Sequence, residues 1–254
     1  MTDNLHAVVD GSADLPAVVL GSSLGATSAM WQPQVAALSE WFQVVRYDHL
    51  GHGKSDVPAG PYTIERLGQA VLALIDRLAL DRVSYAGLSL GGMVGIWLAQ
   101  NAPDRIDRAV LLCTSAYLSP EPWQERIAAI QAGGIRSISE AVVGRWFTPQ
   151  WALDHPDEIR AFRETLENTP QDGYLACCAA IGAMDLRPGL RGIGVPTLVI
   201  GATGDASIPV EHQRAISEAV PGARLQVIDQ AAHLASVEQS ETVTAALLAH
   251  LGGG

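Results

Sequence analysis

The 254-residue chain is 48% apolar, enough for a sizeable core, and its formal charge of −11 leaves no basic field for broad nucleic-acid or anionic-membrane binding. It has no uninterrupted apolar run of about 18 residues that could span a membrane. The opening Met1-Thr2-Asp3-Asn4 lacks the basic start of a secretory leader, so a cytoplasmic protein is predicted. Cys113, Cys177 and Cys178 have neither a disulfide framework nor metal-ligand spacing and are read as apolar packing.

In chain order, strands are predicted at 5–9 and 17–20, separated by the turn-rich 10–16 and so forming an opening hairpin. The second strand empties into Gly21-Ser22-Ser23-Leu24-Gly25. Pro33 suits the first turn of a helix to about residue 40. A strand at 44–47 ends in Asp48 and a turn at 51–55. From Thr63, a predicted N-cap, Leu67, Ala70, Val71, Leu74, Ile75 and Leu78 recur at helical spacing.

A further strand runs into Gly87-Leu88-Ser89-Leu90-Gly91, followed by a buried helix to about Asn101 and a strand at 109–113. Repeated alternation with continuous apolar runs predicts an α/β fold, a mostly parallel sheet with helices on both faces. After Cys113 the rhythm breaks. Residues 116–188 offer helical patterns and five of the nine tryptophans and phenylalanines, Trp123, Trp146, Phe147, Trp151 and Phe162, which predicts a helical cap; the alternative is a second helical layer of the same core. Strands return at 197–200 and 225–228, with a helix at 210–220 between them and another at 238–251. The expected division is a core of 1–115 and 189–251, a cap of 116–188, and a disordered tail of 252–254.

Gly-x-Ser-x-Gly between a strand and a helix is the pattern of a nucleophile elbow, a turn so tight that only small residues fit beside the serine. Taken alone it also fits an ordinary glycine-rich connection. Ser89 needs a base, and the base an orienting acid. Asp205 and His233 fall just beyond the last two strands, and in a parallel sheet such loops share the edge where ligands bind. Asp229 is the rival acid; His49 and His52 are rival bases. Leu90 N–H and Leu24 N–H are the expected oxyanion donors. In the cap, Trp123 stands three residues before Arg126, so the two share a helix face. The plainer reading of the pair is an exposed arginine stacked on a tryptophan.

The chain resembles the α/β-hydrolase superfamily over its full length, and more narrowly the 3-oxoadipate enol-lactonases of aromatic-compound catabolism. The narrower resemblance rests on Ser22-Ser23-Leu24-Gly25, Gly60-Pro61-Tyr62-Thr63-Ile64-Glu65, Gly87 to Met93, Trp146-Phe147-Thr148-Pro149, Gly173-Tyr174, Cys177-Cys178-Ala179-Ala180 and Ala231-Ala232-His233-Leu234. It implies a carboxylic-ester hydrolase with no metal and no organic cofactor, opening the enol-lactone ring through an acyl-enzyme on Ser89. Trp123, Arg126 and Trp146 would then contact substrate. Other esterases, lactonases and C–C hydrolases share the core motifs, and a hydrolase-fold receptor with little turnover is the alternative of another class. Two departures are visible: Leu50 replaces the arginine usual in Asp-x-Arg-Gly-His-Gly, and Ala235-Ser236 replaces Ser-Asn after the histidine. The expected partner is a small ester or lactone; the oligomeric state is left open.

Overall fold

Residues 3–252 are described by the structure, a computed structural model. Its innermost strands are the continuous apolar runs of the sequence. β2 (Ala17–Gly21), β4 (Val83–Leu88) and β6 (Thr197–Ala202) are buried at every position, as strands covered on both faces must be. With β3 (Gln43–Tyr47), β5 (Ile106–Leu112) and β7 (Arg224–Ile228) they pair in parallel, and β1 (Ala7–Asp10) adds an antiparallel edge. The order across the seven-stranded sheet is β1-β3-β2-β4-β5-β6-β7.

The expected opening hairpin does not form. β1 pairs with β3, Ala7 opposite Tyr47 and Asp10 opposite Val44, while β2 lies between β3 and β4. Burial explains the difference. The fully apolar β2 has to sit inside the sheet, whereas β1 is half-exposed and tolerates an edge, where Asp10 also pairs with Arg46 of β3 at 2.7 Å.

Helices cover both faces. α1 (Gln32–Leu38) and α11 (Ser240–Leu251) pack together, as do α2 (Ile64–Arg77) and α3 (Leu90–Asn101). Thr63 caps α2, its hydroxyl accepting from Arg66 N–H at 3.0 Å, and the buried Leu67, Ala70, Val71, Leu74 and Ile75 form one stripe. α3 is apolar nearly all round because it packs on β4 and β5 under other helices.

Between β5 and β6 the chain makes α4 (Pro120–Gly133), α5 (Arg136–Val143), α6 (Pro149–Asp154), α7 (Pro156–Glu167) and α8 (Gln171–Ala183). A lone bridge between Tyr117 and Asp185 closes the neck of this helical insertion. After β6 come α9 (Val210–Ala219), β7, and the short α10 (Ala235–Glu238) leading into α11. Gly252 takes a left-handed conformation that ends α11; the rest of the expected tail, 253–254, lies outside the described residues. Among the described residues, no helix is long and apolar enough to cross a membrane.

Candidate active site

β4 ends at Leu88 and α3 begins at Leu90, so a single residue, Ser89, makes the whole turn. Its backbone pays for that sharpness with φ 57° and ψ −114°, a conformation costing about 1–3 kcal/mol that persists only where the surroundings enforce it. The enforcement is visible. A Cβ on Gly87 would stand 2.2 Å from Gly91 C and O, and one on Gly91 would stand 2.3 Å from Gly21 O. Ser89 N–H donates to Leu112 O at 2.9 Å, and Thr114 Oγ1 donates to Ser89 O at 2.7 Å. Ser89 thus lines a cleft from the N-cap of α3.

On the same sheet edge, Asp205 follows β6 and His233 follows β7. His233 Nδ1 lies 2.8 Å from Asp205 Oδ2, with both side chains almost wholly buried. The second carboxylate oxygen, Oδ1, accepts from Ser207 N–H at 2.8 Å and Ile208 N–H at 2.9 Å. With its carboxylate anchored by three hydrogen bonds, Asp205 fixes the proton of His233 on Nδ1 and leaves Nε2 as an acceptor. His233 and Ser89 line one cleft. The rival acid, Asp229, is exposed.

The loop after β2 approaches from the other side. Ser23 N–H points to Met30 Sδ at 3.3 Å and Gly25 N–H donates to His52 Nε2 at 2.9 Å, so Leu24 N–H, which lies between them, is uncommitted. Leu90 N–H is likewise without a partner at the start of α3, where the helix dipole adds to its pull on negative charge. The rival bases turn out to build this loop. His49 Nε2–H donates to Ser22 O at 2.8 Å, and His52, which accepts from Gly25, donates from Nδ1 to Leu50 O at 3.2 Å. Burial drives both towards the neutral form, lowering the pKa of His49 to about 3 and that of His52 to about 4.

The cleft has a volume of about 640 Å³. Leu24, Ser89 and His233 meet Trp123, Arg126 and Trp146 of the helical insertion there, while Leu90 and Asp205 stand behind its wall. The Arg126 guanidinium lies 4.6 Å from the Trp123 ring centroid, the stacking their spacing predicts. Among the described residues, no cluster of His, Cys, Asp or Glu could hold a metal ion, and the three cysteines are buried and free.

Residues 16–240 match the family described as the alpha/beta hydrolase fold. The chain belongs to the α/β hydrolases. This α/β hydrolase is 35% identical over 238 residues to 3-oxoadipate enol-lactonase 2 of Acinetobacter baylyi, covering 93% of this chain and 89% of that protein. It superposes on the enol-lactonase of Burkholderia xenovorans with a TM-score of 0.96 at 40% identity, covering 98% of this chain and 96% of that one. A hydrolase from Pseudomonas aeruginosa gives a TM-score of 0.94 at 42% identity, over 98% and 94% of the two chains.

Several groups on the hydrolase's cleft escape sequence reasoning. Arg145, Tyr174 and His212 all line it. His212, in the first turn of α9, brings Nδ1 within 2.9 Å of Ser115 Oγ, a second serine–histidine contact. That contact has the wrong polarity for nucleophile activation. Ser115 Oγ gives its single proton to Tyr117 O at 2.6 Å, so the imidazole donates to the serine rather than accepting from it. Leu50 is fully buried and does not line the cleft.

Proposed function

We propose that this α/β hydrolase is a serine hydrolase that opens a small lactone, 3-oxoadipate enol-lactone being the substrate its relatives' names favour. The observation that carries the reading is the Asp205–His233 pair at 2.8 Å facing the strained Ser89 across one cleft. Ser89 attacks the ring carbonyl while His233 Nε2 takes its proton, and Asp205 stabilises the imidazolium. Leu24 N–H and Leu90 N–H receive the developing oxyanion. His233 then protonates the departing enol oxygen, and water, deprotonated by the same imidazole, releases the acyl group from Ser89.

Since the leaving oxygen of a lactone stays attached to the acyl chain, the cleft has to hold the opened ring through both steps. Trp123 and Trp146 supply apolar walls for that task. The deciding experiment is turnover of the purified protein on the enol-lactone, unsubstituted five- and six-membered lactones and neutral aryl esters side by side. Preference for the enol-lactone supports the full proposal. Preference for another substrate retains the serine-hydrolase reading alone, and binding without turnover of any would favour a receptor.

A further inference from the structure

Leu90 N–H, the oxyanion donor at the start of α3, shares its peptide unit with Ser89 O. A peptide unit is planar and trans, so whatever holds the carbonyl at one end aims the N–H at the other. Ser89 O accepts two hydrogen bonds. One is the first bond of the helix itself, from Met93 N–H at 3.0 Å; the other comes from outside the helix, from Thr114 Oγ1 at 2.7 Å. The unit that carries the other donor, Leu24 N–H, is held within its own loop, where Ser23 O accepts from Ala26 N–H at 3.1 Å.

Thr114 is itself firmly placed. It lies just past β5, the strand beside β4, and is fully buried. Its carbonyl accepts from the buried Gln213 Nε2 at 2.7 Å, and the next residue, Ser115, takes His212 Nδ1–H at 2.9 Å. Two successive side chains in the first turn of α9 therefore grip two successive residues of this segment, which gives the second serine–histidine contact a structural purpose. On its other side Thr114 abuts Gly92, where a Cβ would stand 2.5 Å from Thr114 Cβ. The following peptide units of α3 are anchored too, Gly91 N–H donating to Ser22 O at 3.0 Å and Gly91 O accepting from the Tyr85 hydroxyl at 2.9 Å. Those contacts fix where the helix begins, whereas Thr114 acts on the one unit whose N–H faces the oxyanion.

We infer that Thr114 is a positioning residue for the oxyanion hole. Its hydroxyl fixes the plane of the Ser89–Leu90 peptide and, by drawing electron density to the carbonyl oxygen, makes the N–H at the opposite end a stronger donor. Linked hydrogen bonds polarise one another in this way, and the N–H that ends this chain is called on when negative charge develops on the substrate oxygen. The benefit therefore falls on the transition state and not on binding. The inference rests on the proposed acyl chemistry at Ser89, and it adds to that chemistry a residue that does not line the cleft.

Thr114→Ser and Thr114→Ala both delete the methyl group and differ only in the hydroxyl. With 4-nitrophenyl acetate, Thr114→Ala should lower kcat by about 3- to 10-fold at unchanged KM, since acylation and deacylation both pass through an oxyanion. That is less than the loss of about 10²–10³ when such a donor is removed outright. Thr114→Ser should stay within about twofold of the wild type. Affinity for an aryl trifluoromethyl ketone, whose adduct on Ser89 places an oxyanion in the hole, should differ between the two variants by the same factor as kcat. Equal kcat in the two variants would overturn the role, whatever their melting temperatures, and so would a loss confined to KM. Ser89→Ala is assayed beside them. If it turns over the ester like the wild type, the acyl chemistry at Ser89 fails and the role of Thr114 falls with it; if it is inactive while the two Thr114 variants match, Thr114 alone is reassigned to packing.

Discussion

Glu238 accepts hydrogen bonds from Thr148, from its N–H at 3.1 Å and from its hydroxyl, joining the short core helix α10 to the start of α6 in the helical insertion. Its other oxygen takes Ala232 N–H at 2.8 Å, beside His233, and Leu234 N–H donates to Trp146 O at 2.9 Å on the far side. His233 is therefore clamped on both flanks to the segment that carries Trp146. This carboxylate is buried and satisfied by donors rather than by a cation.

Glu238→Ala strands those donors and should destabilise the fold by about 1–3 kcal/mol. It should also lower kcat by about tenfold or more, because a loosened loop lets the imidazole drift from Ser89. Glu238→Gln keeps one acceptor and should fall between. Urea unfolding and steady-state kinetics measure the two effects separately, and lost stability with unaltered kcat would limit the clamp to a structural role.

Ser89→Ala should lower kcat by about 10³-fold or more with an unchanged melting temperature, since it removes the nucleophile and touches no packing. Asp205→Asn should cost about 10²–10⁴ in kcat, because an amide cannot hold the same imidazole tautomer or stabilise its cation. Asp229 is exposed, so Asp229→Asn should stay near wild type. A larger loss for Asp229 than for Asp205 would reverse the assignment of the acid.

The placement of Ser89, Asp205 and His233 along one sheet edge was legible because each follows an apolar run that makes an interior or neighbouring parallel strand, and the edge such loops share needs no side-chain detail. The Trp123–Arg126 contact was legible for a similar reason, being fixed by helical spacing alone. The pairing of β1 was not: Asp10 and Arg46 choose each other across a gap that no local pattern encodes. Arg145 and Tyr174 escaped notice as a pair because they sit on separate pieces of the insertion, far apart in sequence. Their convergence depends on how α4, α5 and α8 pack. His49 and His52 drew attention as bases, yet their burial makes them supports of the Leu24 loop.

Gly87→Ala tests the elbow from the packing side. The added carbon would meet the Gly91 backbone, which has no rotamer by which to yield, so the strand and helix would have to separate. Destabilisation of about 3 kcal/mol or more is expected, at the upper end for overpacking, together with loss of turnover. A variant that melts with the wild type would mean the turn has more room than its geometry shows.

The last prediction uses the two buried histidines. An unfolded histidine titrates near about 6.5. In the folded protein burial, aided for His49 by repulsion from His52, lowers the values to about 3 and about 4, against the opposing pull of Asp48 and of the Ser22 and Leu50 carbonyls. As pH falls below about 6.5 the unfolded chain binds protons that the folded chain refuses, so stability declines on the acid side. This contribution is fully present above the unfolded pKa and is lost progressively as pH falls towards the folded values. Each histidine adds a slope of about 1.4 kcal/mol per pH unit inside its window. His52→Gln, which can still accept from Gly25 N–H, should flatten the pH dependence of urea-unfolding stability by about that slope between about pH 6 and pH 4.5. An unaltered slope would show that His52 takes up its proton in the folded state, and would remove the argument that neutral imidazoles hold the Leu24 loop.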